Sequence, residues 1–507
     1  MYKKIVVNPT NIVINNYNFG DAPQIESLFS IYNKVTHIIS YDHISYNKGK
    51  KQLILPRGID IPYLENVFGV RAFINQSCDK YRENNEQILL RYGPKDDKQR
   101  EAINFLLGQD RYSYTKNYSQ LMLALGTGSG KTYLGIAYSA FMNLKSIVIT
   151  TSSHWLTQWK ERIIQHTNII SKEVYHIQGS ATINSLMNKK SEDIDNKYKI
   201  YLITHSTLLS YANNNGWDKI RELFTHLGIG VKIFDEAHLN FENITNIDYN
   251  TSTYKTLYLT ATPGRGDEKE DSIFKLYFKN IPRIILFDPE SDPHTNYIAI
   301  RYKSGLNASE ISNCVSNYGF NNKKYCDMVI YKENFDYICR IVFDILSHIS
   351  GKIIIFLATN NAIVYMYEWI KSNYPEYGNS VGIFTSINTN KESALTCKII
   401  LSTAKSACEA LDISDLTCSV QLAEPIKSEY RNRQRLGRTR GFNTFYIDIV
   451  DESCAIAKKY YISNLPMFET HALSTKEMRL SNKELENRAL SIIKHRKEHG
   501  ISPFIKL

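Results

Sequence analysis

Short apolar runs punctuate this chain, and most end on a glycine, a threonine or a carboxylate. Residues 123–125, 147–149, 200–203, 231–234 and 257–259 read as buried strands, and helical patterns such as 133–142 lie between them. Alternation of this kind over residues 88–285 predicts a parallel sheet covered by helices. A second alternating set begins near Phe335, with strands expected at 352–357, 381–384, 398–402, 418–422 and 445–450. It defines a second domain over 331–465. Between the two, Asp288-Pro289, Asp292-Pro293 and Asn321-Asn322 predict an irregular link over 286–330. Residues 1–87 hold short strand signals at 5–7, 13–14, 36–41 and 52–58 and a helical stretch at 26–35. They predict a small α+β accessory domain. Residues 466–507 predict a helical basic tail. There Ser481 and Glu484 form a capping-box pattern, Gly500 and Pro503 end the helix, and Leu485, Ala489, Ile492 and Ile493 share one face. The expected fold class is α/β, with two tandem domains of this type between the accessory domain and the tail.

Two strand ends carry chemistry. The run Leu123-Ala124-Leu125 enters Gly126-Thr127-Gly128-Ser129-Gly130-Lys131-Thr132 and then an apolar helix. Glycines let backbone N–H groups close around phosphates, and the following helix N-terminus favours negative charge. Lys131 is placed to reach the β- and γ-phosphates of a nucleotide, and the Thr132 hydroxyl to ligate Mg²⁺. The strict loop pattern has glycine where this chain has Leu125. The second strand end is Val231-Lys232-Ile233-Phe234-Asp235-Glu236-Ala237-His238. Asp235 suits the Mg²⁺-holding acid of a nucleotide hydrolase, and Glu236 the base that activates water.

Composition narrows the partners. The net charge of +10 favours a polyanion, and residues 425–507 hold 16 Lys+Arg against 9 Asp+Glu. The last helical turn, Lys494-His495-Arg496-Lys497, either contacts phosphates or complements the helix dipole. The eight cysteines show no paired metal-ligand spacing and read as reduced thiols without zinc. The first apolar run is too short for a signal peptide, and no stretch approaches the length of a membrane span.

Other segments follow in order: Gln99-Arg100-Glu101-Ala102, Thr151 to Trp159, Thr204, Thr260-Ala261-Thr262, Thr403, Glu409-Ala410-Leu411-Asp412 and Gln434-Arg435-Leu436-Gly437-Arg438-Thr439-Arg440. With the two strand ends, this set resembles the superfamily 2 helicases of the DExH type over roughly residues 88–455. The resemblance implies two RecA-like domains with ATP and Mg²⁺ between them. It implies that Gln99 reads the adenine edge, and that Gly126, Thr127, Gly128, Ser129, Gly130, Lys131, Thr132 and Asp412 hold nucleotide. Gln434, Arg435 and Arg438 join the catalytic set, with Arg438 as the arginine finger. His238, Thr260 and Thr262 link the nucleotide to the nucleic-acid face. Thr151, Gln158, Thr204, Thr359 and Thr403 are the implied backbone contacts; Trp159 is read either as core or as a stacking platform. The chain departs from the pattern twice. Gly441 stands where the family has an arginine, with Arg440 one residue early, and Ala410 stands where relatives have glycine.

Leu53-Ile54-Leu55-Pro56-Arg57-Gly58 narrows the resemblance. It looks like an element of the poxvirus transcript-release DNA helicase and its relatives in large DNA viruses and phages, the phage T4 branch-migration helicase being more distant. The implied protein is a monomeric, 3′-to-5′ DNA-dependent ATPase, favouring DNA over RNA and meeting an RNA polymerase or other transcription factors. It would be intracellular, in the host cytoplasm, a viral factory or the virion. An RNA helicase on viral transcripts and a weakly active, polymerase-recruiting subunit are the competing readings.

Overall fold

The computed structural model describes residues 2–501, apart from 34–36, 42, 127–128, 262–267, 287–293, 317–318, 386, 389, 408–412, 414, 438, 440 and 442. Two compact units result, Met1–Asp288 and Pro289–Leu507.

The first unit contains a seven-stranded sheet in the order Val174–His176, Ile200–Thr204, Ser146–Thr150, Val231–Phe234, Lys255–Thr260, Gln120–Leu125, Arg283–Leu286. All neighbours are parallel. The five central strands are buried along their whole length. Helices cover both faces, which is why these strands read as continuous apolar runs rather than as alternation. Gly126, Thr151, Asp235 and Thr260 stand at or just after strand ends on one edge of this sheet, the usual place for a ligand in an open parallel sheet.

The accessory sheet runs Ser45–Asn47, Gln52–Pro56, Asn11–Asn15, Lys4–Val7, Ala72–Ile74. Only its last pair is parallel. The helix expected over 26–35 does not form. Helix Pro23–Glu26 passes into a 3₁₀ turn, Ser27–Phe29, and then strand Ile31–Asn33 pairs with Ile38–Ser40. The buried Glu26 carboxylate accepts from the Tyr17 hydroxyl and from Gly20 N. Ile31 and Tyr32 then favour strand.

This domain shares one hydrophobic core with the sheet beside it: Ile5, Leu53 and Leu55 cluster with Ile244, Ile273 and Tyr277. Its seam is the Leu53 to Gly58 element. A Cβ on Gly58 would overlap the Leu276 carbonyl oxygen, Asn280 Nδ2 donates to Arg57 O at 3.3 Å, and Lys279 pairs with Asp60 at 2.8 Å. The glycine is therefore required by close backbone approach.

The second unit holds another fully parallel seven-stranded sheet, ordered Val381–Phe384, Ile399–Ser402, Lys352–Phe356, Leu416–Gln421, Thr444–Asp451, Thr295–Tyr302, Ser474–Arg479. Two sequence expectations are corrected here. The supposed irregular link over 286–330 contains Thr295–Tyr302, a strand paired on both sides. The supposed helical tail over 466–507 contributes the edge strand Ser474–Arg479, whose polar sequence hides it because only one side is paired. Helix Asn482–His499 forms with its Ser481–Glu484 capping box and ends at Gly500, φ +71°. Leu485 and Ile492 enter the core of this unit, and Arg496 pairs with Glu376 at 2.9 Å above the Tyr374 ring.

Candidate active site

Strand Gln120–Leu125 delivers the loop, and helix Lys131–Met142 leaves it. Gly130 caps that helix with φ +89°, a conformation that side chains rarely adopt. A Cβ on Gly130 would overlap Gln99 Nε2. Gln99 lies in helix Asp97–Leu107, which Asp96 caps by accepting from Gln99 N at 2.8 Å. Its amide clamps the loop, with Nε2 donating to Ser129 O at 3.0 Å and Oε1 accepting from Lys95 N at 3.0 Å. Ser129 Oγ donates to Gly126 O at 2.6 Å. Lys131 Nζ donates to Leu125 O at 3.3 Å and to Gly126 O at 3.5 Å, and faces Glu236 Oε1 at 3.8 Å. Thr132 follows in the first helical turn, half-buried.

The acidic pair ends strand Val231–Phe234. Asp235 is buried; its Oδ2 accepts from Trp159 Nε1 at 2.7 Å and its Oδ1 from Glu236 N at 3.0 Å. Burial, and then the adjacent Glu236 carboxylate, push the Asp235 carboxyl up to about 7, against the opposing pull of Trp159 and Lys131. Glu236 takes a left-handed backbone, φ +49°, strain of the kind kept at functional turns. His238 Nδ1 lies 3.3 Å from Glu236 Oε2 and 3.0 Å from Thr260 Oγ1. Lys131, Asp235, Glu236, His238 and Thr260, all singled out in the sequence, are brought together here. Trp159, read as core or as a stacking platform, is buried and also donates to a carboxylate, which the sequence does not announce. That bond joins residues 76 positions apart, so no local pattern signals it.

Three of the four threonines chosen as nucleic-acid contacts cap helices. Thr204 Oγ1 accepts from Thr207 N at 3.2 Å, Thr359 Oγ1 from Ala362 N at 3.1 Å and Thr403 Oγ1 from Ser406 N at 3.2 Å. Each stands where a parallel strand gives way to a helix, so helix N–H groups gather there as well. Thr151 precedes helix Ser153–His166, in which Gln158 Nε2 lies 3.1 Å from His154 Nε2.

In the second unit, helix Glu429–Leu436 carries the arginine-rich segment. Arg435, expected in the catalytic set, packs inward. It is fully buried, paired with Glu424 Oε2 at 2.9 Å, and stacked over Phe356 at 4.4 Å. Gly441 has φ +101° and is exposed, so an arginine there would be strained. Thr127, Gly128, Thr262, Asp412, Arg438, Arg440 and the Gln434 side chain lie outside the described residues.

Residues 94–265 match the family model described as the type III restriction enzyme, res subunit. The chain is 23% identical to the general transcription and DNA repair factor IIH helicase/translocase subunit XPB of Schizosaccharomyces pombe over 366 residues, 68% of this chain and 43% of that protein. It is 25% identical to the DNA 3'-5' helicase XPB of Mycobacterium tuberculosis over 156 residues, 31% of this chain and 26% of that protein. The chain spans less than half the length of these curated relatives. Among solved structures, S. cerevisiae Dbp5 bound to RNA and ADP BeF3 superposes with a TM-score of 0.53 at 15% identity, covering 78% of this chain and 92% of that one. The chain has the fold of the superfamily 2 helicases. The two parallel sheets are its tandem RecA-like domains, and the accessory domain precedes them.

Proposed function

We propose that the chain is an ATP-dependent DNA helicase or translocase. The observation that carries this reading is the meeting of the glycine loop with the acidic strand end, Lys131 Nζ lying 3.8 Å from Glu236 Oε1 beside the buried Asp235. A helix N-terminus, an ammonium, the Thr132 hydroxyl and two carboxylates on one sheet edge form a donor set that fits a magnesium–nucleotide complex. When bound, that complex supplies a γ-phosphoryl group activated for attack by water. Lys131 exchanges its carbonyl and carboxylate partners for phosphate oxygens. Thr132 and Asp235 hold the metal side, Glu236 takes the proton of the attacking water, and Gln99 fixes the loop and reads the base. Arg438 and Gln434 complete the catalytic set. His238 and Thr260 pass the state of Glu236 toward the strand-binding positions of the first unit, Thr151, Gln158 and Thr204; Thr359 and Thr403 are the backbone-contact positions of the second unit.

DNA is favoured over RNA because one curated relative is named a DNA 3'-5' helicase and another the helicase/translocase subunit of a DNA repair factor. The net charge of +10 suits either polymer. In the cell we assign the protein to transcript release from RNA polymerase, or to remodelling of replication and recombination intermediates. It acts there as an intracellular monomer, in the host cytoplasm, a viral factory or the virion if the source is viral. Steady-state ATPase measurements at defined salt, with no polymer, single-stranded DNA, duplex DNA or RNA, test the proposal. Strong stimulation by DNA alone supports it. Stimulation mainly by RNA replaces it with an RNA helicase, and a flat, near-zero rate replaces it with a polymerase-recruiting subunit.

A further inference from the structure

Trp159 joins its own helix to two other elements of the first unit. Its indole N–H donates to Asp235 Oδ2 at 2.7 Å. Its far edge packs on the helix that follows the glycine loop, where a Cβ on Gly135 would sit 2.7 Å from Cη2. Its own helix, Ser153–His166, opens directly after Thr151 and Ser152. The ring is 1% exposed, so water cannot replace its bond to the carboxylate. With Oδ1 accepting from Glu236 N, both oxygens of Asp235 are fixed, and the acid cannot turn without breaking one of these bonds. A hydrogen bond to a carboxylate is directional and strong, and such outer partners orient metal ligands.

We infer that Trp159 is a positioning residue that sets the Asp235 carboxylate for Mg²⁺ and transmits displacement of the Ser153–His166 helix, caused by bound DNA, to that carboxylate. This rests on the nucleotide reading above. It adds a second route between strand and nucleotide, separate from the one through His238 and Thr260. The indole suits the task because it is rigid and wedged: Gly135 leaves room for it on one side, and the acid holds it on the other.

The test uses the full chain carrying Trp159→Phe, which keeps a ring against Gly135 and removes the N–H. A fluorescent ADP analogue is titrated with and without saturating Mg²⁺, thermal unfolding is recorded, and ATPase is measured with and without single-stranded DNA. The expected result is near-wild-type affinity without Mg²⁺ and a loss of about tenfold or more in the affinity gained from Mg²⁺. The ratio of DNA-stimulated to basal turnover also falls. Gly135→Ala, which crowds the indole from the other side, lowers the same Mg²⁺-dependent gain and serves if the phenylalanine variant is unstable. An unchanged gain, or equal losses with and without Mg²⁺, overturns the inference. A wild-type chain that shows no Mg²⁺-dependent nucleotide binding overturns the nucleotide reading instead.

Discussion

Lys131 Nζ lies 3.8 Å from Glu236 Oε1 and donates to the carbonyls of Leu125 and Gly126. The proposed phosphate-binding cation and the proposed base therefore neutralise one another across the site. A phosphate would compete for the same ammonium and release the carboxylate toward water. Lys131→Ala is expected to abolish ATP hydrolysis, and Glu236→Gln to retain nucleotide binding while lowering turnover by about 10²-fold or more. Near-normal turnover in either variant, measured by phosphate release, would refute the site.

Arg435 and Arg438 separate structure from chemistry. Arg435 is buried against Glu424 and Phe356, so Arg435→Ala leaves a carboxylate short of its partner and empties a stacked volume. Loss of about 3–5 kcal/mol is expected in a denaturant titration. Arg438→Ala is expected to leave that midpoint unchanged and to slow hydrolysis by about 10³-fold, with ATP affinity altered much less. Equal losses of binding and turnover would argue against the finger.

His205 gives the fold an acid limit. It is fully buried, stacks on Phe234, and neither ring nitrogen has a partner among the described residues. Burial alone pushes its pKa down to about 3. The folded state thus holds a neutral ring while the unfolded chain takes up a proton near 6.5. Its contribution is fully present above pH 6.5 and is lost as pH falls from 6.5 toward 3. Between pH 7 and pH 5 the wild type is expected to lose about 2 kcal/mol more than His205→Phe in urea titrations. Parallel losses in the two proteins would contradict this.

Gly58 reports on the accessory-domain seam. A methyl group there overlaps the Leu276 carbonyl, and neither backbone can withdraw without opening the shared core. Gly58→Ala is expected to destabilise the first unit by about 1–3 kcal/mol. It should also speed proteolysis of residues 1–87 while leaving 289–507 protected. Unchanged cleavage rates would show that the seam tolerates the methyl.

The local rules were legible in the sequence wherever one element acts on its own neighbours. Continuous apolar runs gave the buried parallel strands, the glycines gave the loop, and Ser481 with Glu484 gave the tail helix its start, because backbone geometry and near-neighbour hydrogen bonds decide these features. Asp235 and Glu236 were legible because they directly follow such a run, and Lys131 because the glycine loop after another run leads straight to it. Tertiary structure decided what depends on partners distant in sequence. Thr295–Tyr302 became an internal strand because Thr444–Asp451 and Ser474–Arg479 flank it. Ser474–Arg479 has no apolar pattern because it is paired on one side only. Arg435 turned inward because Glu424 and Phe356 offer it a buried charge and a ring. Trp159 became the partner of Asp235 because the packing of a helix against a strand end brings the two side chains within 2.7 Å. Sequence fixes which groups can bond; only the folded chain decides which of them are close enough to do so.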